Sequence, residues 1–124
     1  MSDAIRLASP TLNCPDATAL ARFYAEITGG KVVYVDPVWA SMDGPGGRID
    51  FQTDPAYVAP TWPDPATPIQ MHLDFTVDDL DATAARVVAA GATRYDHQPN
   101  DDHCLVFADP AGHPFCLSTW DPLT

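Results

Sequence analysis

Apolar side chains recur at helical spacing in two stretches of the chain. The first stretch contains Leu20, Phe23, Tyr24 and Ile27. The second contains Leu80, Ala84, Val87 and Val88. A glycine ends each run, Gly29 and then Gly91, and an aspartate precedes each run as a candidate N-cap, Asp16 in the first and Asp78 or Asp79 in the second. The pattern predicts two amphipathic helices.

Short strand-like runs surround both predicted helices. One extended stretch precedes each helix, at residues 9–16 and 72–79, and the two stretches lie 63 positions apart. Three further runs follow each helix, at 31–35, 38–42 and 48–53 in the first half and at 93–95, 103–107 and 114–119 in the second. Turn-forming residues separate these runs. Each half is therefore predicted to be a strand, a helix and three strands.

The repeat predicts an α+β fold of two βαβββ modules. We expect them to form a curved mixed sheet around a central cup, with the helices outside. The whole chain, residues 1–124, is predicted to be a single domain. Module 1 covers about 1–54, a linker rich in Pro and Asp covers about 55–68, and module 2 covers about 69–124.

Side chains alternate along a strand, so each predicted strand has an apolar and a polar face. In 70–77 the apolar face carries Met71, Leu73, Phe75 and Val77, which are expected to pack on a helix. If the sheet curves, the polar faces converge and form a ligand site; on a flat sheet they are simply solvated. The candidate ligand-binding residues are Ser9, Thr11, Asn13, Trp39, Asp50, Gln52, His72, Asp74 and Cys116.

His72 and Asp74 are the candidate catalytic residues, because a histidine next to a carboxylate is an oriented acid or base near neutral pH. The alternative is a hydrogen-bonded histidine with no catalytic role. For Cys116, the alternative to a ligand contact is a small buried filler.

The charge of the chain limits the kinds of partner that it is expected to bind. Six basic residues stand against seventeen acidic ones, for a formal net charge of -11, and the basic residues do not cluster. Nucleic acid and anionic membranes are therefore not expected to bind. No secretory leader and no membrane-spanning apolar run is visible, and the three cysteines form no CxxC pair. These features predict a cytoplasmic protein with reduced thiols.

The sequence resembles the vicinal oxygen chelate superfamily, the glyoxalase and bleomycin-resistance group. The residues that carry the resemblance are Asp16, Ala21-Arg-Phe-Tyr24, Gly29-Gly30, His72-Leu-Asp-Phe-Thr-Val-Asp-Asp-Leu80, Gly91-Ala92 and Ala108-Asp-Pro-Ala-Gly-His-Pro-Phe115. The resemblance implies paired βαβββ modules, a small-molecule ligand and a homodimer.

Metal-dependent members hold a divalent ion at four strand positions, usually with His or Gln, Glu, His and Glu. By resemblance, these positions fall on Ser9, His72, Cys116 and either Gln52 or Asp50. Hard divalent ions prefer oxygen ligands, above all carboxylates. We therefore expect no metal or other cofactor in the family position. A rearranged site that uses His72 with Asp74, Asp50 or Cys116 is the alternative.

The expected function is a small-molecule-binding, glyoxalase/bleomycin-resistance-like domain without the family's metal site. The alternative is a lyase, isomerase or dioxygenase of the same superfamily, which uses His72 with a nearby carboxylate or a non-standard metal site. A partner-binding or structural domain is the third hypothesis.

Overall fold

The structure is a computed structural model that describes residues 4–120. The chain divides into two compact units, with the boundary between Tyr57 and Val58. We call the part before this boundary unit 1 and the part after it unit 2. The outermost residues, 1–3 and 121–124, which the sequence assigns to the two modules, lie outside the described residues.

Unit 1 consists of one helix and a four-stranded mixed sheet. Its elements are β1 (Thr11–Cys14), α1 (Ala17–Thr28), β2 (Lys31–Val35), β3 (Trp39–Gly44) and β4 (Gly47–Thr53). The sheet order is β1-β4-β3-β2, with β1 parallel to β4 and the other pairs antiparallel.

Unit 2 repeats this arrangement. Its elements are β5 (Leu73–Thr76), α2 (Leu80–Ala90), β6 (Thr93–Arg94), β7 (Cys104–Ala108) and β8 (Pro114–Ser118). The sheet order is β5-β8-β7-β6, and β5 is parallel to β8 as β1 is to β4.

Capping residues explain where the helices begin and end. Asp16 accepts a hydrogen bond from the Ala19 N–H at the start of α1, and Asp79 accepts one from the Ala82 N–H at the start of α2. At the end of α1, Gly29 has a φ of 73°, a left-handed conformation that glycine adopts without a steric penalty. The helix ends therefore follow directly from local sequence.

Each unit has an aromatic core beneath its sheet. Tyr24 of α1 stacks on Phe51 of β4, with ring centroids 5.8 Å apart. In unit 2, Phe107 stacks on Phe115, with ring centroids 5.6 Å apart. All four side chains are fully buried. Burial of apolar surface in these cores is the main favourable contribution to the stability of each unit.

The predicted α+β fold of two βαβββ modules is confirmed. The first strand of each unit is shorter than predicted, because Ser9 and His72 precede the paired residues of β1 and β5. Met71 was expected to pack on a helix, but it lies before β5 and is 76% exposed, so that expectation is wrong. The exact module and linker boundaries stay predictions.

Candidate ligand-binding site

Unit 2 has a cavity of about 610 Å³ on one face of its sheet. Alternate residues of three strands line it: Asp74 and Thr76 of β5, Cys116 and Ser118 of β8, and Cys104 and Val106 of β7. The register pairs Asp74 with Cys116 and Cys116 with Val106. These side chains share a face because residues two apart on a strand point the same way. The polar face predicted for this half of the chain is therefore the floor of a cavity.

His72 and Asp74 form a hydrogen-bonded pair at one side of this floor. The His72 Nδ1 lies 3.0 Å from the Asp74 Oδ1. The side chains are 44% and 62% exposed, so the pair is accessible to a molecule in the cavity. A carboxylate on one ring nitrogen fixes the orientation of the imidazole and leaves the other nitrogen for a ligand.

Cys116 lies beside this pair, half-buried. Burial is the main cause that raises the pKa of its thiol well above the usual range, and the neighbouring Cys104 and Asp74 raise it further. At neutral pH the thiol is therefore protonated, and it is a hydrogen-bond donor and not a nucleophilic thiolate.

Three kinds of donor atom converge at this point. One ligand atom each from His72, Asp74 and Cys116 lies within 4.8 Å of the other two. The strand register pairs Asp74 of β5 with Cys116 of β8, and His72 lies immediately before β5. We call these three residues the donor group.

Aromatic side chains form part of the cavity wall. Trp62 contacts Tyr95 edge-on, with ring centroids 5.0 Å apart, and lies 5.3 Å from the ring of His97. His103 and Trp120 form a second contact, with ring centroids 6.4 Å apart. Trp62, His103 and Trp120 all line the cavity. A flat, apolar ligand surface would find stacking partners here.

In unit 1 the register places the predicted polar residues in two rows across the sheet. Asn13, Gln52 and Trp39 form one row, and Thr11, Asp50 and Ser41 form the other. Asn13 and Gln52 are exposed, whereas Asp50 is buried.

Asp50 has its partners within unit 1. The Ser9 hydroxyl donates a hydrogen bond to the Asp50 Oδ2 at 2.6 Å, and the Arg48 Nε lies 3.3 Å from the Oδ1. These contacts offset part of the cost of burying the carboxylate, whose Oδ1 accepts no hydrogen bond from the described residues.

The register also resolves which residue of unit 1 corresponds to Cys116. In unit 2, Asp74 pairs with Cys116, and the residue 63 positions before Asp74 is Thr11, which pairs with Asp50. Asp50, and not Gln52, is therefore the counterpart. The two halves end up with a buried carboxylate in one unit and a thiol in the other.

The structure thus brings the predicted site residues together in two sets. Ser9, Thr11, Asn13, Trp39, Asp50 and Gln52 lie in unit 1, and His72, Asp74 and Cys116 lie in unit 2. Each set shares one face of its own sheet or adjoins it. The single cup shared by both halves stays a prediction.

The sequence missed part of the cavity wall. His103 was assigned no role in the site, but it is half-buried and lines the cavity together with Cys104. Cys104 was given no role. The strand pattern of β7 could have revealed its position, because Cys104 and Val106 lie on one face of the strand and Leu105 and Phe107 lie on the other.

The residues present do not fit the hard-ion site that the resemblance implies. The Ser9 hydroxyl donates a hydrogen bond to Asp50, and Cys116 stands where the family has a carboxylate. A thiol and a hydroxyl are weak ligands for Mn²⁺ or Mg²⁺. The expected absence of a metal in this position stays a prediction.

Comparison with known proteins places these observations in a family. The family model of a glyoxalase-like domain matches residues 9–118. No curated protein sequence matches the chain significantly. Within the described residues, no helix is long and apolar enough to cross a membrane.

Several solved structures share the fold. The fosfomycin resistance protein FosX from Listeria monocytogenes, complexed with Mn(II) and sulfate, matches with a TM-score of 0.73 and 17% identity over 98% of this chain and 94% of that chain. A glyoxalase/bleomycin resistance protein/dioxygenase family enzyme from Burkholderia phytofirmans matches with a TM-score of 0.70 and 19% identity, over 91% and 97%. The oxidase ChaP-H2 matches with a TM-score of 0.68 and 25% identity, over 98% and 96%.

The family match covers most of the chain, and the solved structures confirm the same fold at low identity. The chain therefore belongs to the glyoxalase-like domain family, within the vicinal oxygen chelate superfamily.

Proposed function

We propose that the protein binds a small molecule in the cavity of unit 2. The observation that carries this proposal is a cavity of about 610 Å³ whose lining contains both the His72–Asp74 pair and aromatic side chains. Ligand pockets in proteins usually have about 300–1,000 Å³, mostly apolar walls and a few convergent polar groups. The dimensions and the lining of this cavity agree with that pattern.

The charges of the lining favour a neutral or cationic ligand with a flat apolar part. The described residues that line the cavity include Asp74 but no Lys or Arg. Two charged oxygens of a phosphonate would have no fixed cation to bind. Trp62 and Trp120 provide stacking surfaces, and Asp74 accepts hydrogen bonds from a donor group on the ligand.

A fragment screen by thermal shift tests this proposal with two matched sets of compounds. One contains neutral and cationic aromatic amides, and the other contains phosphonates, including fosfomycin. A ligand that binds the folded protein raises its melting temperature. We expect hits in the first set, and ¹H–¹⁵N spectra should show shifts of the Trp62 and Trp120 indole signals. Hits restricted to the phosphonates would contradict the proposed ligand class.

Asp74 has a matched control in the same unit. Asp74 and Asp102 each contact the Nδ1 of a cavity-lining histidine, at 3.0 Å and 2.8 Å, but only Asp74 of the two lines the cavity. Asp74→Asn should weaken binding of a hit about tenfold or more, the effect of losing a charged hydrogen bond, whereas Asp102→Asn should change it little. Equal effects of the two substitutions would refute the assignment of the site.

Catalysis is the second candidate, and the orientation of His72 by Asp74 favours it. In this role His72 is the acid or base and Asp74 is the positioning residue. Incubation of a bound compound followed by mass spectrometry would reveal a product. Asp74→Asn should then lower kcat more than it raises KM; product formation that is unaffected by His72→Ala excludes this role.

The homodimer and the cytoplasmic location are further proposals. The homodimer is supported by the family resemblance alone. Light scattering of the purified full chain measures its mass in solution, and a mass of one chain at micromolar concentration contradicts the dimer. Fractionation of cells that express the chain tests the location.

A further inference from the structure

The lining of the cavity in unit 2 combines one carboxylate with several aromatic rings. Trp62, Phe75 and Trp120 line it together with Asp74, and across residues 4–120 no Lys or Arg side chain does so. Of the seventeen acidic residues of the chain, ten belong to unit 2, which has only two arginines. A cation in this cavity is therefore attracted by the carboxylate, by the faces of the rings and by the net charge of the unit.

Contacts within unit 2 hold both tryptophans of the lining in place. Trp62 lies edge-on against Tyr95, with ring centroids 5.0 Å apart. The Trp120 N–H donates a hydrogen bond to the Ser118 hydroxyl at 3.0 Å, and the Trp120 ring lies 6.4 Å from that of His103. Because these contacts position the rings before a ligand arrives, binding costs less conformational entropy than it would on free side chains.

The hydrogen-bonding groups of the cavity favour a methylated cation over a primary ammonium. A primary ammonium has three N–H donors, and each needs an acceptor when the group leaves water. The Asp74 Oδ1 is already hydrogen-bonded to the His72 Nδ1, and the Ser118 hydroxyl is already hydrogen-bonded to the backbone of Trp120. A trimethylammonium group has no N–H donor, and its methyl groups spread the positive charge over an apolar surface that aromatic rings bind.

We propose that the cavity of unit 2 binds a small molecule with a quaternary ammonium group and an attached aromatic ring. Asp74 is the counter-ion of the ammonium group, and Trp62 and Trp120 bind it through their ring faces. A volume of about 610 Å³ has room for the aromatic ring beside the cation. This inference rests on the proposed small-molecule function and names the chemical class of the ligand.

Two pairs of probes separate the effect of charge from the effect of shape. Choline and neohexyl alcohol have the same shape, but only choline is charged. Benzyltrimethylammonium and benzylammonium are both cations, but only the first is quaternary. In titrations of the full chain followed by ¹H–¹⁵N spectra, we expect the quaternary member of each pair to bind about tenfold tighter. Equal affinities within either pair, or no binding of any probe, overturn the proposal.

Substitutions test which side chains bind the cation. Trp120 is 63% exposed, so Trp120→Leu keeps an apolar side chain without disturbing the core. It should weaken benzyltrimethylammonium binding about fivefold and neohexyl alcohol binding less than about twofold, because only the cation loses an interaction with a ring face. Asp74→Asn should weaken binding of the cation about tenfold and that of the alcohol little, whereas Asp102→Asn, outside the lining, should change neither. A loss as large for the alcohol as for the cation refutes the proposed contacts.

The proposed function and this inference fail separately in these experiments. If neutral aromatic amides bind and shift the Trp62 and Trp120 indole signals while no quaternary ammonium does, small-molecule binding stands and the ligand class is wrong. Phosphatidylcholine vesicles carry the same cationic group on a lipid. We expect the full chain not to sediment with them; sedimentation with the vesicles without binding of benzyltrimethylammonium would overturn the proposal in favour of a lipid headgroup.

Discussion

The two units share an order of elements and a strand register, but their polar faces differ in chemistry. Unit 1 has the carboxylate of Asp50 at the position where unit 2 has the thiol of Cys116. Asp50 is buried and paired with Ser9 and Arg48, whereas Cys116 lies in the wall of a cavity. The same backbone thus supports a buried, ion-paired cluster in one unit and an accessible donor group in the other. The fold sets the positions, and the side chains decide which position is available to a ligand.

The helices of the two units also differ. Helix α1 buries six side chains, including Leu20, Phe23 and Tyr24, whereas α2 buries only Ala84 and Val87 among its described residues. The residue of α2 that corresponds to Tyr24 by the 63-residue offset is Val87. Helix α1 therefore contributes more apolar burial to its unit than α2 does.

Leucine truncations in the two helices should show the largest difference. Leu20 is 2% exposed, so Leu20→Ala should lower the free energy of unfolding by about 3 kcal/mol through lost burial and a cavity. Leu80 is only partly buried, and Leu80→Ala should cost about 1 kcal/mol. Urea denaturation followed by circular dichroism measures both. Equal losses would show that α2 packs as tightly as α1.

The residue after each helix C-cap provides the next comparison. Unit 1 has Gly30 and unit 2 has Ala92 at this point. A Cβ on Gly30 would clash with the backbone carbonyl oxygen of Asp43, so β3 would have to move. Gly30→Ala should therefore destabilise the protein by about 2 kcal/mol.

Gly46→Ala is the control for this steric effect. A Cβ on Gly46 meets no atom within 4 Å, and the expected change in unfolding free energy is within about 0.5 kcal/mol. If the two alanine variants unfold at the same urea concentration, the close approach at Asp43 is not what requires glycine.

Local patterns predicted the helices because their signals are local. The spacing of Leu20, Phe23, Tyr24 and Ile27 and the caps at Asp16 and Gly29 specify α1 without any knowledge of its neighbours. The strand ends were less accurate. Ser9 or His72 belongs to a strand only if the neighbouring strand forms backbone hydrogen bonds with it. The neighbouring strand is distant in the sequence, so a local pattern does not contain that information.

The candidate site was predicted only in part for the same reason. Alternation identified the face that carries Asp74 and Cys116, because residues two apart share a side. Alternation also placed Asp50 on the polar face. It could not show that the Asp50 carboxylate is hydrogen-bonded to Ser9 and ion-paired with Arg48. The contribution of His103 depends on how its loop packs against Trp120.

The cluster around Asp50 allows a third comparison, with a smaller expected effect. Ser9→Ala removes the hydroxyl that donates a hydrogen bond to the Asp50 Oδ2 at 2.6 Å. The buried carboxylate then lacks this hydrogen-bond donor. The expected loss of stability is about 1.5 kcal/mol, typical of a hydrogen bond to a charged group.

Ser118→Ala is the matched change on the polar face of unit 2. The Ser118 hydroxyl contacts backbone atoms of the exposed Trp120, at 3.0 Å and 3.1 Å, and water can replace these bonds. Its removal should cost less than about 0.5 kcal/mol. A larger effect of Ser118→Ala than of Ser9→Ala would reverse the assignment of the structural cluster to unit 1 and the accessible face to unit 2.

The smallest expected effect concerns the β2–β3 turn of unit 1 and its dependence on pH. The Asp36 carboxylate accepts hydrogen bonds from the Tyr34 hydroxyl and from the Val38 and Trp39 N–H groups, and these bonds, that of Tyr34 first, lower its pKa. A group whose pKa is lower in the folded state stabilises the protein above its unfolded pKa of about 3.9 and loses this contribution as the pH falls through the folded pKa.

Tyr34→Phe should therefore lower stability slightly at pH 7, and its difference from the unsubstituted protein should shrink as the pH falls below about 4. Urea denaturation at several pH values measures this difference. A difference that grows towards acid pH would mean that Asp36 is not the group through which Tyr34 acts.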